Sequence, residues 1–124
     1  MAPLTAAPQT YRENAVLSAS PSHLVVMLYD GARRYLRQAA AAMEEGEVER
    51  AHNTLRRAET IITHLDGVLD HEQGGQLAGR LHAIYEFCLA HLNRARLGQD
   101  AGKVEQVSAM LGELRESWAQ IAHG

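Results

Sequence analysis

From residue 21 onward, apolar side chains recur at alternating three- and four-residue spacing, the period of a helix buried along one face. Val104, Val107, Leu111, Leu114, Trp118 and Ile121 form the clearest stripe. Ala51, Leu55, Ala58, Ile62, Leu65 and Leu69 form another, and Leu77, Leu81, Ile84, Cys88, Leu92 and Ala95 a third. Leu24, Leu28, Ala32, Tyr35, Ala39 and Ala42 trace the core line of the first helix. Glycines punctuate these stripes: Gly46, the pair Gly74-Gly75, and Gly98 are each placed to end a helix. Ser20 can cap the first helix with Pro21 at its first position, and Asp100 can cap the last. The pattern predicts helices near 21–44, 47–72, 76–97 and 101–122. Their short connections make sequential helices antiparallel neighbours. The expected fold is all-α: an antiparallel four-helix bundle over 21–124, preceded by an irregular N-terminal arm over 1–20.

More apolar surface is written into the chain than four helices need for one another. The run LVVMLY, Leu24 to Tyr29, passes more than once around a helix, whereas one core covers one side. Val25, Tyr29, Leu36 and Met43 make a second stripe beside the core line, and Val26 lies further round, toward Arg33 and Arg37. In the second helix Ile61 and Val68 stand outside the main stripe with His64 between them, and in the third Phe87 falls between Arg80 and Arg94. Something must cover this surplus: the arm, a second copy of the chain, or a partner segment. Within the arm, Leu4, Tyr11, Val16 and Leu17 are apolar, and a few such contacts, each about 1.5–3 kcal/mol, suit a cover that can be displaced.

Composition narrows the function classes. A chain of 124 residues, 46% hydrophobic and 22% charged, is one ordinary globular domain. Its net charge of −3 draws in neither nucleic acid nor an anionic membrane. The first twenty residues lack the pattern of a signal peptide, no apolar run is long enough for membrane insertion, and the lone Cys88 suits a reducing compartment. A soluble, cytoplasmic protein is expected.

Candidate chemistry is sparse. Glu49 and His52 have Glu-x-x-His spacing, but a di-metal bundle needs that motif twice plus two inward glutamates, and no metal site is expected. His64 is the one candidate phosphoacceptor, with Asp66 two residues on and no lysine on its helix. Arg33, Arg34, Arg37, Arg56 and Arg57 are the basic cluster a nucleic-acid site would use; their expected role is pairing with carboxylates across helix faces. No nucleophile, base and orienting acid converge, and no glycine-rich phosphate loop follows a strand. Neither a catalytic residue nor a cofactor is expected. Cys88 falls in a core stripe as a small hydrophobe.

The segments that carry these stripes also resemble a known family. Tyr11 and AVLSASPSHLVVMLYDGARRYL, then NTLRRAETIITHLDGVLD, HEQGGQLAGRLHAIYEFCLAHLNRA and VEQVSAMLGELRESW, resemble the FliS family of flagellar secretion chaperones, in order from Tyr11 to Trp118. The resemblance implies a cytoplasmic bundle that binds the disordered C-terminal segment of flagellin. It further implies that the chaperone prevents premature polymerisation and assists delivery to components of the flagellar export gate. The surplus surface then becomes a groove, masked by the arm in the free protein and filled by the client in the complex. Tyr11, Val25, Val26, Tyr29, Ile61, Leu65 and Val68 are expected at or near that groove, with Leu24 and Leu28 in the core beneath it. The Arg-rich, Lys-poor surface and the Ala-rich end of the first helix depart from common members. The alternative is a self-associating bundle, a homodimer serving as a regulatory or structural module.

Overall fold

The computed structural model describes residues 21–123, with side chains as far as Gln120. The expected arm, Tyr11 and the Ser20 cap therefore lie outside the described residues. Four helices follow in order: α1 (Pro21–Glu44), α2 (Val48–Gly67), α3 (His71–Gly98) and α4 (Ala101–His123). They form an all-α four-helix bundle in which each helix packs on the two beside it, and α1 lies closest to α2 and α4. Cross-helix contacts fix the antiparallel register. Arg115 reaches Asp30 and Arg33 reaches Ser108 between α4 and α1, Asp66 meets His82 between α2 and α3, and His91 meets Gln106 between α3 and α4.

The turns show how local chemistry sets the ends. After α1, Gly46 sits at φ +73°, the Gly46 N–H donates to Met43 and the Glu47 N–H to Ala42 at 2.8 Å. This left-handed ending satisfies two of the last carbonyls. After α3 the same ending falls on Gln99 (φ +49°), one residue beyond the expected Gly98, with the Asp100 N–H donating to Ala95 at 2.9 Å. Asp100 accepts from the Lys103 N–H at 3.3 Å, the expected cap of α4.

The middle turn differs from expectation. The second helix stops at Gly67 instead of running to 72, and the third starts at His71 instead of 76. Asp70 accounts for the shift, since its carboxylate accepts from the Glu72 and Gln73 N–H groups at 3.1 and 3.0 Å and starts α3 early. Gly75, at φ +50° and ψ −124°, then bends that helix after its first turn. Only glycine takes up such a conformation without strain. A straight helix would separate His71 and His82 by about 16 Å along its axis. Across the bend their rings stand edge to face at 6.0 Å.

The core corrects the phase read for α1. Tyr29, Ala32, Leu36, Ala39, Ala42 and Met43 are buried, while Leu24, Leu28 and Tyr35 are only half-buried. The core line joins Ala32, Ala39 and Ala42 of the expected stripe to Tyr29, Leu36 and Met43 of the one taken for surplus, because α1 meets α2 and α4 on both sides. Val26 and Ala40 lie seven residues either side of Arg33, whose bond to Ser108 marks the line as facing α4, and both are buried. Alanines along α1 let the neighbours close in, so two helices cover an apolar run too wide for one. Leu77, placed in the α3 stripe by its spacing, is 59% exposed because it sits beside the bend. Fully buried Leu36, Leu55, Ile62, Leu92 and Leu111 each contribute about 1.5–3 kcal/mol. Cys88 is buried among them, and burial pushes its thiol up to about 11, leaving it protonated and inert at neutral pH.

Candidate functional site

Among the described residues, one end of the bundle is open. The start of α1, the end of α2, the bent start of α3 and the end of α4 enclose an apolar cleft of about 240 Å³. Its floor is Leu65, Ala78, Leu81 and Tyr85, all buried; its rim carries Val68 and Leu77, each 59% exposed, with Val25, Leu69, Gly74 and Trp118 between. Asp70 is the one charged group in the lining, and its carboxylate is committed to capping α3. Gly74 keeps the cleft from filling, since a Cβ there would stand 2.9 Å from Ala78. The volume is below the roughly 300–1,000 Å³ of sites that enclose small molecules. It suits a few apolar side chains presented by a peptide.

Of the expected groove residues, Val25, Leu65 and Val68 line this cleft together. Tyr29 does not; it is fully buried beneath, its hydroxyl 2.5 Å from that of Tyr85, with the Trp118 indole acting on the same phenol. Burial raises both phenols above their ordinary range, so both stay neutral. Val26 is buried on the α4 side, and Ile61 is half-buried where α2 crosses α1, near Gly31. Periodicity assigns Leu69, Leu77, Leu81 and Trp118 to the core. Asp70 just ahead of the Gly74-Gly75 pair was the signal that α3 starts early and bends.

A clamp flanks the cleft. His82 of α3 presents Nδ1 to Asp66 of α2 at 2.7 Å and Nε2 to Glu86 at 2.9 Å. The Asp66 hydrogen bond, aided by both carboxylate charges, raises the imidazole above its ordinary value. An imidazole raised by a partner stabilises fully below its unfolded pKa and loses that contribution as pH climbs through the folded one. His82→Gln is therefore expected to lower the melting temperature more at about pH 5.5 than at about pH 8.5. Equal losses at the two pH values in paired thermal melts would show that the clamp does not act through charge.

The other candidates take structural places. His52 accepts from Arg96, which also bonds Glu59 and Asn93, so the Glu-x-x-His pair is not a ligand set. Among the described residues no group of three or more His, Cys, Asp or Glu is placed to hold a metal. His64 is exposed. None of Arg33, Arg34, Arg37, Arg56 and Arg57 pairs with a carboxylate among the described residues, contrary to expectation. Arg33 instead reaches Ser108, and Arg57 lies over the Tyr35 ring at 5.7 Å. Among the described residues no helix is long and apolar enough to cross a membrane.

Residues 4–124 match the family described as Flagellar protein FliS. The chain belongs to the FliS family. The flagellar secretion chaperone FliS of Salmonella typhimurium is 39% identical over 111 residues, 89% of this chain and 82% of the relative. FliSB of Pseudomonas aeruginosa, also a flagellar secretion chaperone, is 36% identical over 111 residues, 90% of this chain and 88% of its own. The Bacillus subtilis FliS is 31% identical over 110 residues, 89% and 81% of the two chains. This FliS chain is thus a flagellar export chaperone, of a family of chaperones and not of enzymes.

Proposed function

We propose that this FliS captures the disordered C-terminal segment of flagellin in the cytoplasm, seating client side chains in the cleft at the open end of the bundle. Holding that segment prevents premature polymerisation, and the complex is then presented to the flagellar export gate. The observation that carries the reading is the cleft itself: a buried apolar floor, an exposed apolar rim at Val68 and Leu77, and no uncommitted charge. Ordering a disordered client costs about 2–5 kcal/mol or more. The cleft therefore supplies an anchor, and shallower contacts along the neighbouring helices add the rest. Val25, Leu65, Val68, Leu77 and Trp118 are the side chains placed to touch the client. Burial of their apolar surface supplies the driving force.

Calorimetric titration with the C-terminal segment of flagellin from the same genome tests the reading. Saturable one-to-one binding is expected, with a negative heat-capacity change and a gain of helical signal. Absence of heat at high micromolar client, with the chaperone shown to be folded, would transfer the reading to a self-associating bundle.

A further inference from the structure

The outward face of α3 is apolar where solvent alone would favour polar groups. Phe87 is 46% exposed and Leu97 81%, with Ala83 and Ala90 exposed beside them. Together with Arg80 and Arg94 they occupy one arc of about 100° on the helix. The Phe87 ring is held in place, stacked on His91 with centroids 5.1 Å apart and planes 19° from parallel. His91 is itself fixed by Gln106 of α4 at 2.6 Å and by Arg94 at 3.3 Å. Neither Arg80 nor Arg94 meets a carboxylate among the described residues, whereas Arg50, Arg96 and Arg115 all do. Glu86, the nearest acid in sequence to Arg80, is engaged with His82, and Asp100, the nearest to Arg94, with Lys103.

We propose that this face is a second docking surface, separate from the cleft, for an amphipathic helix of another protein with acidic residues at both ends of its apolar stripe. The spacing argues for that chemistry. Arg80 and Arg94 lie fourteen residues apart, about 21 Å along the axis, with Phe87 midway. Carboxylates about 21 Å apart on the incoming helix pair with both arginines while its apolar stripe covers Phe87, Ala83 and Ala90. The same spacing works against a second copy of this chain. A two-fold pairing centred on Phe87 sets arginine against arginine at both ends, whether the helices run parallel or antiparallel. Ala78, Leu81 and Tyr85 serve the cleft from the opposite side of α3, so the two surfaces are open to simultaneous occupation.

The test uses a synthetic helical peptide with leucines at three-four spacing and glutamates fourteen residues apart, titrated into the full isotope-labelled chain. Saturable amide shifts centred between Arg80 and Leu97 are expected, weakening as salt rises. The Arg80→Glu/Arg94→Glu variant should bind this peptide at least tenfold more weakly and gain affinity for a lysine-ended version. Phe87→Ser should weaken the acidic peptide comparably while leaving the helical signal unchanged. Shifts centred on Val68, Leu77 and Trp118, equal affinity for the two peptides, or no shift at millimolar peptide would each overturn the proposal. So would a wild-type dimer in sedimentation that Phe87→Ser dissolves.

Discussion

Leu77→Asp is expected to lower affinity for the flagellin segment by roughly a hundredfold, because an unpaired carboxylate left in an apolar contact costs about 3 kcal/mol. Leu77 is 59% exposed in the free chain, so the same carboxylate is solvated there and the melting temperature should hold. Val68→Asp, equally exposed across the rim, should behave alike. Val48→Asp supplies the control, being 57% exposed but at the far end of α2, and should leave the client affinity unchanged. Val26→Asp belongs to a different class. Val26 is only 6% exposed, so a charge there should lower stability first and client binding only as a consequence. Calorimetry on folded variants separates these cases. Undiminished binding by both Leu77→Asp and Val68→Asp would remove the cleft from client capture.

The contrast between Val26 and Leu77 shows where the sequence is informative and where it is ambiguous. Four helices and three breaks were legible because glycine and proline punctuation agreed with the three-four stripes at nearly every boundary. The phase of α1 was not legible. Six consecutive apolar residues give no preferred face, and the deciding fact is that α2 and α4 approach from both sides. Read with the wrong phase, Tyr29 looked like a groove residue and Leu24 like core. The cleft was legible in part: Val25, Leu65 and Val68 were picked out as surplus or shared apolar positions, and they converge there. Leu77 was hidden because its spacing fits a straight helix, and the bend at Gly75 takes it off that line. A Gly-Gly pair reads equally as the end of one helix or a bend within the next; the Asp70 cap decides between them. Arginine pairing failed for a simpler reason. Periodicity gives the face of a side chain but not which charge stands opposite on a neighbouring helix.

Beneath the cleft, Tyr29→Phe is expected to destabilise the bundle more than Tyr85→Phe does. The two hydroxyls share a hydrogen bond at 2.5 Å, and the Trp118 indole acts on Tyr29 but not on Tyr85. Removing the Tyr29 oxygen orphans the enclosed Tyr85 hydroxyl and takes away the phenol on which the Trp118 indole acts. At about 1–3 kcal/mol for the buried hydroxyl left unpaired, with the lost indole interaction added, Tyr29→Phe should cost about 2–4 kcal/mol. Removing the Tyr85 oxygen leaves Tyr29 with the Trp118 indole still acting on it, and should cost about 1 kcal/mol. The double variant leaves no orphaned phenol and should lose less than the two single losses combined, a coupling that a denaturant-unfolding double-mutant cycle measures directly. Equal single losses that simply add would show that the Trp118 contact carries no weight. The asymmetry bears on the cleft because Trp118 lines its wall and Tyr85 its floor. The hydroxyl pair ties α1 to α3 across the core, and Trp118 brings in α4. A short chain of Tyr85, Tyr29 and Trp118 thus draws three of the four helices together beneath the open end. Loosening that chain should therefore weaken client capture as well as stability, whereas Leu77→Asp separates the two.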